Sequence, residues 1–366
     1  MGGRSSEVFE GFDARECTRR CRGRFWIHRE QIVALTRGVC QREQVCRNNA
    51  QPVRSSGQVV LKDELMGFGA FSSVGRISLF ALLASSTFAA EPEKNVWPAS
   101  WTEPTEPFRV FGDTYYVGTR GLTSVVIASP NGHVLIDGGM PEAASLILAN
   151  IRKLGFSVSD IKYILNSHAH LDHSGGIAEL QKASNATVIS SPAGAHALRR
   201  GRGGPDDPQF TVIEPFPAVA NVEVLEEGSS IDIGRTRLTI HYTPGHTPGG
   251  TSWSWRECQG SRCLNFVYAD SLNAVSADDF KYGGDDRYPS AAKDLEASIA
   301  KIAALPCDVL ISAHPEASGL WDKVERYPGQ GADAFVDPDG CRNYAQGAKQ
   351  RLTQRLERER NERVGN

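Results

Sequence analysis

The stretch Ser167-His168-Ala169-His170-Leu171-Asp172-His173 constrains this chain more than any other. It follows a short apolar run, Tyr163-Ile164-Leu165, bounded by polar residues, which predicts a buried strand. Three imidazoles and a carboxylate therefore sit on a loop at the carboxyl end of a strand, where open α/β sheets build their sites. His168 and His170 alternate, so an extended backbone aims both the same way. Asp172 and His173 are adjacent, so they point apart and could serve a second position. One cluster can thus hold two metals. The alternative, a few solvated histidines on a turn, gives no reason for four donors so closely spaced.

Charge and cysteines divide the chain. Residues 1–65 hold 12 Lys and Arg against 8 Asp and Glu, and the rest 28 against 35. An acidic body with no basic stripe argues against nucleic acid as the main partner. Cys17, Cys21, Cys40 and Cys46 lie in the first segment and Cys258, Cys263, Cys307 and Cys341 in the body. The first four match no zinc spacing well. Cys258 and Cys263 could staple a short hairpin. Four body cysteines allow three connectivities, and four buried thiols remain an alternative.

Residues 1–65 show no period and few apolar clusters. Met66 opens a plausible secretory signal peptide, with Arg76 as the positive residue, Ile77 to Ala84 as the apolar core and Thr87-Phe88-Ala89 before cleavage. The apolar run is too short to span a bilayer. The expectation is that residues 1–65 are a mis-assigned or disordered extension, 66–89 a signal peptide and 90–366 the working domain, exported to the periplasm with no membrane span in the mature chain. An exported chain makes disulfides favourable.

After a Pro/Trp-rich arm, Pro92 to Pro107, the pattern predicts strands at Phe108–Phe111, Thr114–Val117, Thr123–Ile127 and His133–Ile136, with Asn131-Gly132 as a tight turn. A helix is expected over Ala143–Leu154, stopped by Gly155. The central strand, the histidine loop, a helix through Leu180, a strand at Thr187–Ile189 and a helix at Pro192–Arg200 follow. Gly201 to Pro217 is rich in Gly, Pro and Asp and carries no period; such a loop in a compact domain is usually functional or mobile. Strands are then expected at Ile231–Ile233, Arg237–Tyr242, around Trp253 and Trp255, and at Phe266–Ala269. A helix at Ala291–Leu305, a strand at Val309–Ile311 and a charged terminal helix at Gln346–Arg360, fraying into a polar tail, complete the pattern. Two similar α/β halves suggest two sheets face to face with helices outside.

Two further histidines follow expected strand ends. His246 lies in the rigid turn Thr243-Pro244-Gly245-His246-Thr247-Pro248-Gly249, and His314 follows Leu310-Ile311-Ser312-Ala313. With His168, His170, Asp172 and His173 they make six donors. Catalytic zinc takes three protein ligands plus water, so six donors fit two open zinc sites. His28, His133, His196 and His241 are expected to be structural or exposed.

His168-x-His170-x-Asp172-His173, with Pro-Gly-His246 downstream and a late His314, resembles the metallo-β-lactamase superfamily, and within it the subclass B3 β-lactamases. Asp137-Gly138-Gly139-Met140-Pro141, Gly203-Gly204-Pro205-Asp206-Asp207, His246-Thr247-Pro248-Gly249-Gly250-Thr251, Tyr268-Ala269-Asp270-Ser271-Leu272, Leu305-Pro306-Cys307-Asp308 and His314-Pro315 carry the likeness, which spans about 101–345. It implies an α/β fold, a four-layer αββα sandwich. It implies that His168, His170 and His246 hold one Zn2+ and Asp172, His173 and His314 a second. It implies a disulfide between Cys307 and Cys341. The implied activity is hydrolysis of the β-lactam amide in penicillins, cephalosporins and carbapenems by zinc-bound hydroxide, with antibiotic resistance as the consequence. Asp172 would orient the nucleophile. Ser271, Asn273 and Gln209 are the candidate substrate contacts, although family members often carry Ser or Thr at the position of Asn273. The expected partner is a small β-lactam, and a monomer is the expected state.

The nearest rival is a glyoxalase II-like thioesterase or lactonase of the same fold, in which an aspartate such as Asp270 would bridge the metals. A periplasmic metal-binding protein without turnover is a second. A flavodiiron-type redox role is disfavoured because His170 stands where iron would want a carboxylate.

Overall fold

The computed structural model describes residues 97–364. The proposed leader, the signal peptide, Cys17, Cys21, Cys40, Cys46, His28 and the start of the arm lie outside the described residues.

The first half supplies β1 (Phe108–Phe111), β2 (Thr114–Tyr116), β3 (Val125–Ile127), β4 (His133–Ile136), α1 (Ala143–Lys153), β5 (Ile161–Leu165), α2 (Leu171–Ser174), α3 (Ile177–Ser184), β6 (Thr187–Ser190), α4 (Pro192–Arg200) and β7 (Val222–Val224). The second supplies β8 (Ser230–Ile233), β9 (Thr236–Tyr242), β10 (Thr251–Gln259), β11 (Arg262–Ala269), α5 (Ala291–Ala304), β12 (Val309–Ser312), α6 (Leu320–Gln330) and α7 (Gly340–Val364). The strands form a seven-stranded sheet, β1 to β7 in sequence order, and a five-stranded sheet in the order β12-β11-β10-β9-β8. β1 to β4 are antiparallel and β4 to β7 parallel. In the second sheet only β11 and β12 are parallel.

Strand residues alternate between two cores because both faces of each sheet are covered. Leu135, Ile161 and Ile164 pack under α1, α3 and α4. Their neighbours Val134, Ile136 and Leu165 turn inward to meet Trp253, Trp255, Phe266 and Tyr268 of the second sheet. Val267, Ala269 and Leu310 face outward under α5 and α7. Three cores between four layers make the expected αββα sandwich. Cys258 and Cys263 are opposite partners on β10 and β11 and are bonded, and Cys307 is bonded to Cys341.

Helix ends follow local chemistry. Ser191 caps α4 by accepting from Gly194 N–H at 3.1 Å, Pro192 opens its first turn, and Gly201 ends it at φ +74°. α7 departs from expectation. It begins at Gly340, six residues earlier than the charge pattern suggested, and continues to Val364 without fraying within the described residues. Its first turns bury Cys341, Tyr344, Ala345, Ala348 and Leu352 against the second sheet, so tertiary burial overrides the loop-like Gly340 and Asn343. β7 and α6 were not legible: β7 has three residues, and α6 contains Pro328. No helix of the described residues is long and apolar enough to cross a membrane.

Candidate metal centre

All six predicted donors lie beyond the carboxyl ends of strands. His168, His170, Asp172 and His173 follow β5, His246 follows β9 and His314 follows β12. Stacking the sheets brings these three loops together. Gly245, just before His246, has φ +128°, and a Cβ there would lie 2.6 Å from the Leu295 backbone, so only glycine fits.

Asp172 and His173 do not diverge as an extended chain would have them. They lie on the one-turn helix α2, where successive side chains differ by about 100°. His173 Nε2 stands 3.1 Å from Asp172 Oδ2, and His314 Nε2 lies 3.2 Å from His173 Nε2 and 3.4 Å from Asp172 Oδ2. Tetrahedral zinc with bonds of about 2.0–2.1 Å sets its ligands about 3.3–3.4 Å apart, so this triangle fits such an ion. Asp172 Oδ1 is buried and has no hydrogen-bond partner among the described residues. The donor atoms of His168, His170 and His246 all lie within 4.8 Å of one another, forming a second group.

Buried acceptors fix which nitrogen of each ring faces the centre. His168 Nδ1 is 2.8 Å from Asp270 Oδ1, His170 Nε2 is 3.0 Å from Asp207 Oδ2, and His246 Nδ1 is 2.9 Å from the Asn273 carbonyl oxygen. The opposite nitrogens, Nε2 of His168, Nδ1 of His170 and Nε2 of His246, remain for a metal. Asp137 supports the loop from below. It adopts φ +60°, unusual for a non-glycine residue, and accepts from Ser167 N–H at 2.7 Å, Ser167 Oγ at 2.6 Å and Tyr268 OH at 2.8 Å. Its Oδ2 is also 3.6 Å from His173 Nδ1. These three carboxylates were missed as orienting groups, although Asp137 and Asp270 each directly follow a strand.

In the metal-free chain the donors hold different charges. Burial pushes the Asp172 carboxyl up, but His173 and His314 more than offset this and hold it below the usual carboxylate range. Burial also opposes charge on His173, yet Asp172 and Asp137 raise it to about 10. Burial, and then neighbouring imidazoles, lower His168 well below its ordinary value, His246 to about 3 and His314 to about 4. Complete burial lifts Asp270 well above the carboxylate range.

The predicted substrate contacts surround the donors. Gln209 Nε2 is 3.5 Å from both His170 Nδ1 and His246 Nε2. Its loop is internally bonded: Phe216 N–H donates to the Gly201 carbonyl at 2.8 Å, and Arg202 lies over the Phe210 ring at 4.3 Å. Ser271 is buried and Asn273 half-buried on the segment after β11. On the other side, the Trp101 ring is 5.8 Å from that of His314. The remaining described histidines stand apart, as expected. His133 accepts from Ser129 N–H at 3.3 Å, His241 pairs with Ser254 Oγ at 2.7 Å, and His196 is exposed on α4.

Residues 117–260 match the family described as the Metallo-beta-lactamase superfamily. Among solved structures, the chain is similar to the Rm3 metallo-beta-lactamase, with 53% identity, 72% of this chain and 97% of that chain covered, and a TM-score of 0.71. It is also similar to MEM-A1, a subclass B3 metallo-beta-lactamase from a soil metagenome library, with 50% identity, 72% and 99% coverage and a TM-score of 0.71. A curated relative, the hydroxyacylglutathione hydrolase of Rhodospirillum rubrum, is 27% identical over 171 residues, covering 47% of this chain and 53% of the relative. The chain spans about half the length of the curated relatives it matches. The two donor groups over stacked sheets and the near-complete coverage of Rm3 agree: the chain belongs to the metallo-beta-lactamase superfamily.

Proposed function

We propose that this chain is a subclass B3-type β-lactamase that holds two zinc ions and hydrolyses the β-lactam amide of penicillins, cephalosporins and carbapenems. The observation that carries the reading is the pair of adjoining donor groups: three imidazoles whose donor atoms lie within 4.8 Å of one another, and an Asp-His-His triangle with edges of 3.1, 3.2 and 3.4 Å that fits zinc. Residues His168, His170 and His246 would hold one ion, and Asp172, His173 and His314 the other. Zinc, when bound, supplies Lewis acidity that polarises a carbonyl and lowers the pKa of water toward 7.

The chain's own groups do the rest. Asp172 Oδ1, buried and with no hydrogen-bond partner among the described residues, is free to accept a hydrogen bond from the attacking water and orient it. The Gln209 amide can donate to the bound substrate, and the Gly201–Pro217 loop walls that side from bulk water. Ser271 and Asn273 supply polar groups for the substrate carboxylate. The chemistry needs no covalent enzyme intermediate.

The curated relatives favour a glyoxalase II-like thioesterase as the second reading. Asp270 argues against it. Its Oδ1 is held at 2.8 Å from His168 Nδ1, on the side of the ring away from Nε2, which favours an orienting role over a bridging one. Turnover of nitrocefin by the zinc-loaded chain, lost with EDTA and restored by zinc, supports the lactamase. Cleavage of a glutathione thioester or an acyl lactone with intact nitrocefin would transfer the site to the rival.

We further propose export to the periplasm through a signal peptide at 66–89 and a monomeric mature chain, so that expression raises resistance to β-lactams. N-terminal sequencing of exported material should begin near Ala90, and a mature chain starting before Met66 would refute the leader assignment.

A further inference from the structure

Asn273 carries a side-chain amide, and an amide and a hydroxyl offer their hydrogen bonds differently. A hydroxyl rotates to donate or accept as required, whereas an amide offers its donors in only one of its two orientations. Something must choose that orientation. The Asn273 carbonyl accepts from His246 Nδ1 at 2.9 Å, which fastens the residue to a candidate metal ligand. Its side-chain Oδ1 accepts from Arg351 Nε at 2.7 Å, across 78 positions of sequence. Arginine has no acceptor atom, so the amide can meet it only with its oxygen. Nδ2, with two donors, is left on the other side, and no described residue accepts from it.

Arg351 is well placed to impose this choice. Its helix α7 is registered against the Asp270–Asn273 segment by Tyr344, whose OH donates to the Asp270 carbonyl at 2.7 Å and accepts from Leu272 N–H at 3.3 Å. Further along, Glu359 accepts from Tyr282 N–H at 2.9 Å and Gly283 N–H at 2.6 Å. One turn before Arg351, a Cβ at Gly347 would lie 3.3 Å from Arg351 Nη1, so glycine leaves space for the guanidinium to lie back along the helix. Asn273 and Arg351 together edge a cleft of about 480 Å³ that also meets Ser318 of the 3-10 helix Pro315–Ser318 after His314; none of the six donors lines it.

We propose that Arg351 is a positioning residue for substrate recognition, holding the Asn273 amide so that Nδ2 donates to the carboxylate of a β-lactam. The inference rests on the lactamase reading above. It assigns substrate selection to a pair that joins the terminal helix to the loop beside the metal centre.

The test uses the zinc-loaded full chain, with nitrocefin and its carboxyl methyl ester as substrates and Tm and zinc content as folding controls. R351A should raise KM for nitrocefin at least about twofold, because a freed amide presents Nδ2 in only one of its two orientations, with kcat unchanged. R351K, which can still donate to Oδ1, should recover most of the loss. In an N273S background R351A should have no further effect, because the hydroxyl orients itself. The ester should be indifferent to R351A. In the metal-free protein, R351A should move the side-chain amide resonances of Asn273. An unchanged KM in R351A, an equal rise in the N273S background or an equal rise with the ester would overturn the assignment while leaving the lactamase standing. A parent enzyme that cleaves neither substrate would instead remove the lactamase reading, and this inference with it.

Discussion

Asp270 Oδ1 lies 2.8 Å from His168 Nδ1, two fully buried groups 102 positions apart in sequence. A carboxylate on one nitrogen fixes the ring and makes the other nitrogen the ligand. The same device recurs at His170, where Asp207 takes Nε2 at 3.0 Å. D270N and D207N should each weaken zinc binding by about 10–100-fold with the fold intact. Competition titration with a chromophoric chelator measures this, and parent-like affinity in both would show that the carboxylates do not orient the rings.

Removing a ligand should cost more than removing its support. H246A and H314A are each expected to lose one equivalent of zinc and to reduce β-lactam turnover at least about 100-fold. The two should differ in which ion is lost, since His246 groups with His168 and His170, and His314 with His173 and Asp172. Zinc stoichiometry by atomic emission, with cobalt substitution to distinguish the sites, checks the assignment; full metal content with full activity in either variant would contradict it.

The metal-free protein should be most stable near neutral pH. His168, His246 and His314 are held below their ordinary value, so below about pH 6.5 the unfolded chain binds more protons than the folded one. Their contribution is complete above about 6.5 and fades as the pH falls toward the lowered values, about 4 for His314. His173 acts in the opposite sense: raised to about 10, it stabilises fully below about 6.5 and loses this as the pH rises through about 10. Thermal melts of EDTA-stripped protein should therefore decline on both sides of neutrality. Zinc requires neutral imidazoles, so it should raise the melting temperature more at pH 7.5 than at pH 5. A flat profile between pH 5 and 7 would contradict the buried-neutral assignment.

The Cys307–Cys341 bridge closes a loop of 34 positions and ties α7 to the segment before β12. Loop-closure entropy for that length predicts a loss of about 3–4 kcal/mol in the double serine variant. C258S/C263S, closing a separation of only 5 within one hairpin, should lose less. Urea unfolding under oxidising conditions compares the two, and equal losses would remove loop length as the explanation.

Much of the architecture was written locally. The short continuous apolar runs of β3, β4, β11 and β12 marked strands, and Ser191-Pro192 with Gly201 bounded α4. The spacing of His168, His170, Asp172 and His173 announced a metal loop, and the Pro-Gly turn before His246 announced a fixed backbone. Such features depend on neighbours a few residues away, so they survive in a linear string. Tertiary structure alone decided that His173 meets His314 across 141 positions, that Asp137, Asp207 and Asp270 choose the ligating nitrogens, and that α7 delivers Arg351 to Asn273. Each of these pairings is set by how two sheets stack and which helix covers them. That packing is a sum over many distant contacts, none of which leaves a periodic signature of its own.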